Sequence, residues 1–417
     1  MGRDQQMTGT VLVLDGRAIS ALAIARRLHE RGMTVHSGEA FRHNITAYSG
    51  ATAESHTYPS PDEEPQAFQQ SLSRLIDREA FDFVLPVRDA TTRLLAELAE
   101  TLPGTTNTLL DSPEQIEQLQ DKERFAKLAT RHDVPVPETY FPEEQGLEYV
   151  RSHAEFPVLV KPTNASGARG IRRVENESEL PETYRQAKRN EGDVIVQEFV
   201  DHAGGHYSIG TVFDRDGEPR AIHAYEELLQ YPDSGGPAIR ARSVEIEPWV
   251  HEMLELLEAI EWTGPAHMDV LFDPDDETYK LLEVNPRIWS SIALTIGTGV
   301  DIPSAVIELA RGTDPPETNC YRTGHVYRWA LPNEALWAID GWNTPARIKR
   351  LLERDGETIT YSILSRDDPG AVLGTALQSG RFLLDSEKRK QIFERGWQAD
   401  PDESSGERTP TRGHESQ

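Results

Sequence analysis

The chain has 417 residues, of which 37% are hydrophobic, so it is long enough for two to four domains with cores of their own. Its formal net charge of −27 argues against nucleic acid or an anionic membrane surface as a partner, because long-range repulsion opposes both. Only 8 of the 43 basic residues are lysine, and this acidic, lysine-poor composition is typical of a halophilic protein from a high-salt cytoplasm.

The cysteine content and the distribution of apolar residues limit the cellular compartments that we expect for the protein. Cys320 is the only cysteine in the sequence, which excludes an intramolecular disulfide and a thiolate metal cluster and fits a reducing environment. The first nine residues are polar, and no apolar run approaches ~18 residues, the length needed to span a membrane. We therefore expect a cytoplasmic protein with no membrane partner. A homodimer is compatible with the sequence, but no pattern in it selects an oligomeric state.

The first part of the chain, residues 1–111, is predicted to be a doubly wound α/β domain. Apolar strands are expected over 10–14, 34–36, 81–87 and 106–110. The Gly-x-Gly-x-x-Gly fingerprint of a dinucleotide site is absent. Ligands of such sheets bind at the carboxyl ends of the strands, where Arg88 and Asp89 stand. These two residues either cap the next helix or contact a substrate.

The next segment contains two lysines at positions of interest. A helix with proline early in its first turn is predicted from residue 111 to about residue 131, and it carries Lys122, the first lysine of the chain. This lysine is either a solvated helix residue or a functional one. A strand over 158–160 then ends at Lys161, and Pro162 is expected to stop its pairing.

A loop of small residues follows that strand, over 166–170, and its backbone can lie close to an anion. A lysine at a strand end beside such a loop predicts a phosphate cradle, although an ordinary hairpin has the same signature. Strands are expected next over 193–200, 208–213 and 220–225. Arg240 and Arg242 stand two residues apart and are predicted to share a sheet face, either in surface ion pairs or toward a substrate.

A hairpin over 267–285 carries polar residues on both of its arms. Asp269 lies on the first arm, and Glu283 and Asn285, two residues apart, share a face of the second. Carboxylate and amide oxygens are ligands for Mg²⁺ (or Mn²⁺), and the apolar neighbours of Glu283 predict a buried carboxylate that needs compensation. A solvated strand edge before a turn is the alternative interpretation.

Six features therefore occur in one order. They are the Asp121-Lys122 pair, the strand ending at Lys161 with its small-residue loop, an apolar strand ending at residues 198–200, the strand with Asp269, the strand with Glu283 and Asn285, and Arg287 just beyond it. In this order they resemble the ATP-grasp superfamily, in particular its carboxylate–amine ligases and carbamoyl-phosphate-synthase-like members. The resemblance covers roughly residues 10–312.

The resemblance implies an α/β fold class with two α+β lobes. A Rossmann-like pre-ATP-grasp domain would occupy 1–111, the small ATP-grasp lobe with a flap loop 112–200, and the large lobe with the metal site 201–318. Residues 319–399 would form a C-terminal accessory segment, and the polar residues 400–417 are predicted to be a disordered tail.

It also implies roles for individual residues. ATP would be bound by lysine phosphate contacts, a flap loop and hinge residues: Lys122, Lys161, Ser166, Gly167, Gly170, Glu198, Phe199 and Val200. Asp269, Glu283 and Asn285 would hold the metal. Arg287 would be catalytic together with Lys161, and would bind substrate together with Arg240 and Arg242. Many relatives carry a glutamate for the ribose just past the hinge, where this chain has Tyr207.

These roles predict an ATP-dependent ligase that joins a small-molecule carboxylate to an amine through an acyl phosphate, releasing ADP and phosphate. Two other functions remain open. One is an ATP-dependent enzyme that activates bicarbonate, either a carboxylase or a carbamoyl-phosphate former. The other is a non-catalytic ATP-binding sensor, against which the two lysines and three metal-ligand candidates argue.

Overall fold

The structure is a computed structural model. It describes residues 6–384 with the exception of 165–168, 202–203, 233–234, 314, 316–319, 341–344 and 354. The predictions for Ser166, Gly167 and the tail 400–417 therefore lie outside the described residues. The described part of the chain forms three sheets with helices packed on their faces.

The N-terminal sheet is parallel, with strand order β3-β2-β1-β4. Its elements in chain order are β1 (Thr10–Val13), α1 (Ile19–Glu30), β2 (Thr34–Glu39), β3 (Glu54–Thr57), α2 (Pro65–Glu79), β4 (Phe83–Leu85) and α3 (Asp89–Leu98). The doubly wound prediction is confirmed, since α1 packs on one face and α2 and α3 on the other. The strand predicted over 106–110 is reduced to one bridge between Asn107 and Phe83.

The second sheet is antiparallel, with strand order β5-β8-β6-β7, and forms the small lobe. Its elements, with the two helices that precede them, are α4 (Pro113–Gln120), α5 (Lys122–Arg131), β5 (Thr139–Tyr140), α6 (Pro142–Gln145), α7 (Leu147–His153), β6 (Val158–Pro162), β7 (Arg172–Val174), α8 (Leu180–Glu191) and β8 (Val194–Glu198). Helix α8 covers one face and buries Leu180, Tyr184 and Ala187.

The third sheet has seven strands in the order β13-β12-β9-β10-β11-β14-β15 and forms the large lobe. Its elements begin with β9 (His206–Phe213), β10 (Pro219–Gln230), β11 (Ala238–Ser243), α9 (Pro248–Ala259), β12 (Gly264–Asp273), β13 (Thr278–Asn285), α10 (Ile292–Thr298) and α11 (Ile302–Ala310). They end with β14 (Val326–Arg328), α12 (Ala335–Asp340), α13 (Pro345–Leu352), β15 (Ile359–Tyr361) and α14 (Gly370–Leu384). The predicted accessory segment thus adds two strands to this sheet.

Two sequence expectations were wrong in instructive ways. The helix predicted to run from residue 111 to residue 131 is broken at Asp121, whose side chain accepts a hydrogen bond from the Arg124 amide and caps α5. Pro162 does not stop β6, because it pairs with Val194 of β8. On its other side β7 reaches only to the partner of Val160, so the proline, which has no N–H to donate, faces an unpaired edge.

The cores join these units to one another. One apolar cluster combines the α1 face of the N-terminal sheet with α10, α11 and the large lobe. A second packs α4, α5 and α9 against the other face of the large sheet. At the back of the hairpin, the indole of Trp289 lies against β9 at Gly210, where an added Cβ would come within 2.0 Å of its Cζ2. Only glycine fits there.

In the described part of the chain, no single helix is long and apolar enough to span a membrane. By length and composition alone, the pair α10 and α11 passes that test together, with a bend of 95° between them.

Candidate functional site

The two lysines lie where the small lobe faces the β12–β13 hairpin. Lys122 is the first residue of α5, and its backbone amide donates to the Thr163 carbonyl at 3.0 Å, which joins α5 to the end of β6. Its Nζ lies 3.6 Å from Glu283 Oε2. Lys161 donates from Nζ to Gln197 Oε1 at 2.6 Å. Burial, assisted by the charge of Lys122, lowers the pKa of Lys161 to about 8.

The three candidate metal ligands are adjacent in the hairpin. Asp269 of β12 pairs in register with Glu283 of β13. The Asn285 amide nitrogen donates to Asp269 Oδ2 and to Glu283 Oε1, both at 3.1 Å. Burial would raise the pKa of Asp269, but His267 and His206 outweigh it and lower the pKa to about 2, so the carboxylate is charged at neutral pH.

The donor set fits a hard divalent cation in part. The carboxylates of Asp269 and Glu283 converge on one amide group, and paired carboxylates with an amide oxygen suit Mg²⁺. The Asn285 side chain, however, presents its nitrogen to the carboxylates, while its oxygen accepts from Arg287 at 3.0 Å. Binding a cation between the carboxylates therefore requires this amide to turn its oxygen inward. Glu283 is also more open than predicted, because its side chain is 38% exposed toward the cleft.

Arg287 connects this hairpin to the N-terminal domain. Its Nε donates to Asp89 Oδ1 at 2.7 Å, and a second nitrogen donates to the Asn285 oxygen. Arg88 stands at the N-cap position of α3, but its side chain donates to Asp62, and Asp89 contacts Arg287. Sequence reasoning placed Asp89 at a strand end but did not predict this ion pair.

A cavity of about 310 Å³ lies between these groups. Its walls come from the start of α3, the junction of α4 and α5, the end of β6 and the end of β13. Charged and amide side chains from all four walls line it: Asp89, Arg93, Gln120, Lys122, Asn164, Glu283 and Asn285. The arrangement places two acids and two bases around a space large enough for a small polar ligand.

Arg240 does not lie at this cavity, and the substrate role predicted for it is corrected. Its side chain is fully buried and donates to Glu334 and Asp355, both at 2.9 Å, and to the Arg350 carbonyl at 2.8 Å. These partners come from the C-terminal segment, so the residue binds that segment to the large sheet. Arg242 pairs with Glu226 and is 40% exposed, the surface ion pair that was the alternative interpretation.

The predicted hinge residues follow β8. The Glu198 carboxylate accepts from the Glu138 amide at 2.9 Å and from Lys280 Nζ at 3.1 Å. The Phe199 ring lies under the Arg173 guanidinium at 4.2 Å, and Val200 is buried. Gly170, at the end of the small-residue loop, has a φ of +72° that favours glycine. Their contacts with a nucleotide remain predictions.

Sequence reasoning missed a second polar group beside Asp269. His206 lies 3.7 Å from both Glu227 and Asp269, and Ser208 donates to Glu227 at 2.9 Å. Burial opposes a charge on His206, but Glu227 and Asp269 raise its pKa to about 9. The alternation of His206 and Ser208 along β9 was the available signal. Glu227 could not be placed beside them without the β9–β10 register.

Comparison with known proteins gives the class. Residues 121–318 match the family "Carbamoyl-phosphate synthase L chain, ATP binding domain". A pyruvate carboxylase of Aspergillus niger is 28% identical over 223 residues, which are 48% of this chain and 18% of that protein. A D-aspartate ligase of Enterococcus faecium is 29% identical over 216 residues, which are 46% of this chain and 50% of that protein. The chain thus spans half or less of the curated relatives it matches.

A solved structure supports the same fold. The biotin carboxylase domain of a Hydrogenobacter thermophilus 2-oxoglutarate carboxylase, in complex with MgADP, ADP and bicarbonate, superposes with a TM-score of 0.63 at 18% identity. The match covers 77% of this chain and 74% of that one. The chain therefore has the ATP-grasp fold of this carboxylase domain. Residues 121–318, just under half of the chain, therefore match the carbamoyl-phosphate-synthase-like family of ATP-binding domains.

Proposed function

We propose that the protein is an ATP-dependent ligase that joins a small-molecule carboxylate to an amine through an acyl phosphate, releasing ADP and phosphate. One observation carries the proposal: Lys122 and Glu283 line the same cavity 3.6 Å apart, Asp269 pairs with Glu283 in the hairpin behind it, and the charge of Lys161 interacts with both Lys122 and Glu283. Cations and metal-ligand candidates gathered in this way suit movement of a phosphoryl group, which needs positioning and charge neutralisation and no nucleophilic side chain.

The residues divide the work by position. Lys122 and Lys161 would bind phosphate oxygens of ATP, and bound phosphate would restore the full charge that burial disfavours on Lys161. Asp269, Glu283 and a turned Asn285 would hold Mg²⁺ or Mn²⁺, which neutralises phosphate charge when bound. The part of the cavity lined by Asp89 and Arg93 would remain for the substrates.

Arg287 would orient the reacting carboxylate. Its guanidinium is held between Asp89 and Asn285, so its direction is fixed before a substrate arrives. A guanidinium placed beside the metal ligands can also stabilise the oxyanion that develops when an amine attacks the acyl phosphate.

Trapping with hydroxylamine tests the proposal. With Mg-ATP and a panel of carboxylates at high salt, a true carboxylate should give a hydroxamate and release ADP before any amine is added. Lys161→Ala should abolish both signals while the fold, followed by circular dichroism, is unchanged. Release of AMP and pyrophosphate would overturn the acyl-phosphate mechanism, because the site gathers its charge for phosphoryl transfer.

Activation of bicarbonate is the second candidate, favoured by the sequence similarity to pyruvate carboxylases. It predicts ADP release that depends on bicarbonate and on no other carboxylate. The two candidates are separated by comparing ADP release in bicarbonate-free buffer with and without added carboxylates.

A further inference from the structure

Two arginines converge at the carboxyl ends of the N-terminal strands. Arg17 follows β1 and Arg88 follows β4, and their guanidinium groups both reach Asp62 Oδ2, at 3.4 and 2.8 Å. Neither arginine is closed off, because their side chains are 25% and 29% exposed. The crevice at this edge of a doubly wound sheet is where such folds bind ligands.

Two buried carboxylates lie close to the guanidinium groups of these arginines. Asp15 accepts from the Val87 amide at 3.2 Å and the Thr91 hydroxyl at 2.5 Å, and lies 3.8 Å from Arg88. Burial raises the pKa of Asp15, with Arg88 opposing that effect. Its backbone has a φ of +61°, a conformation that non-glycine residues adopt at a cost.

Glu39, at the end of β2, is the second buried carboxylate and lies close to Arg17. It accepts from the backbone amides of Arg17 at 3.0 Å and Ala40 at 2.6 Å, and its carboxylate lies 3.9 Å from Arg17 Nε. Both buried carboxylates accept hydrogen bonds from backbone or hydroxyl donors, and their distances of 3.8 and 3.9 Å to the guanidinium groups are too long for hydrogen bonds. They therefore hold the positive charge of the arginines in place and leave guanidinium donors directed at Asp62.

Asp62 behaves as an internal occupant of the position between the arginines. It lies between β3 and α2, and its side chain is 46% exposed. Ion pairs at such exposure contribute little to stability, because water and salt compete for both partners. An external oxyanion can replace this carboxylate without removing any buried contact of the domain.

We infer that Arg17 and Arg88 form a binding site for an anionic group of a substrate, a carboxylate or a phosphate, and that Asp62 competes for it. Arg88 immediately precedes Asp89, which is the partner of Arg287 and lines the cavity with Glu283 and Asn285, so the arginine pair stands next to the wall of that cavity. The ligand class is a small molecule with a reacting group at that cavity and a second anionic group at the arginines. Only this assignment of the ligand as a substrate rests on the proposed function.

Binding of simple anions without nucleotide tests the site. The full chain is titrated calorimetrically with succinate and, separately, with inorganic phosphate at matched ionic strength. We expect one or both to bind, and Arg88→Gln to weaken binding at least about tenfold. Asp62→Ala should strengthen binding several-fold, since it removes the competing carboxylate. The probe that binds identifies the anionic group.

Two matched variants make the result specific. Glu63→Ala removes the same charge one residue away, and Arg78→Gln removes an exposed arginine paired with Glu79 elsewhere on the domain. Neither should change anion affinity. The site is refuted if neither probe binds, or if Asp62→Ala and Glu63→Ala have equal effects. Because nucleotide is absent, failure of the acyl-phosphate chemistry would leave this measurement intact.

Discussion

Arg240 and Arg287 were assigned the same role from sequence, and the structure separates them. Arg240 is fully buried, and its donors are taken up by two carboxylates and by carbonyls of the C-terminal segment. Arg287 is 19% exposed and is held by Asp89 and the Asn285 amide beside an open cavity. The first arginine closes an interface inside the fold, and the second is held beside a cavity by two residues that line it.

The difference shows that residue type and strand position cannot assign a role by themselves. A buried ion pair is expected to matter for stability when one partner is removed, because the other is left unpaired in a poor solvent. A group at an open cavity is expected to matter for activity while the fold tolerates its loss. Variants of the buried ion pair should therefore lose stability and keep activity, whereas variants at the cavity should lose activity and keep stability.

The largest effect is expected on stability, for a variant of the buried Arg240. Arg240→Met leaves Glu334 and Asp355 without this partner and should lower the free energy of unfolding by about 3–5 kcal/mol, measured by urea denaturation. ADP release per folded molecule should be unchanged. A loss of activity at unchanged stability would instead support the substrate-binding role predicted for Arg240 from the sequence.

The second effect lies on the open side. Glu283→Gln keeps the shape of the side chain but removes its charge beside Lys122, and should reduce ADP release at least about 100-fold. Because the side chain is 38% exposed, the melting temperature without nucleotide should not fall. A large loss of stability would instead assign Glu283 a structural role.

A smaller, pH-dependent effect is expected at Lys161. Its pKa of about 8 means that phosphate binding requires proton uptake above that pH, so ATP affinity should fall by up to tenfold per unit as the pH rises. Stability without nucleotide should change in the opposite direction. Between pH 8 and the ordinary lysine value the unfolded chain binds more protons, so unfolding becomes less favourable as the pH rises. Lys161→Arg, which stays charged, should flatten both profiles, and pH-independent ATP affinity in the parent chain would refute the effect.

The smallest effect is expected at the neighbour of Arg240 on the same strand. Arg242→Met removes a surface pair with Glu226 and should change the free energy of unfolding by less than about 1 kcal/mol. Activity should also be retained, which makes this variant the matched control for Arg240→Met. A specific rise in the KM for the carboxylate would restore the substrate role predicted for Arg242.

Sequence patterns predicted those parts of the fold whose signal is local. Strand β1 and the β12–β13 hairpin, with Asp269 on one arm and Glu283 on the other, are confirmed, whereas the register that pairs these two carboxylates was not predicted. Strand β3 escaped prediction because Glu54–Thr57 is short and polar. The break at Asp121 was signalled by a capping residue, but the apolar period continues through it.

The candidate site was predictable where its residues follow one another in a characteristic order. It was not predictable where a contact joins distant segments. Arg240 meets Glu334 and Asp355 only because the C-terminal segment adds strands to the large sheet. In the same way, Asp89 meets Arg287 across 198 positions of sequence, and no local pattern announces such a pair.

Lys280 joins the small lobe to the β12–β13 hairpin. Its ammonium contacts Glu198 at the end of β8 as well as Asp273 and Asp276 of the hairpin, at 3.1, 2.7 and 3.1 Å. A rotation axis that passes through this cluster preserves all three contacts, whereas a distant axis breaks them. If the small lobe rotates, we therefore expect the rotation axis to pass near Lys280, so that Lys161 moves away from Glu283 while the contacts of Lys280 are kept.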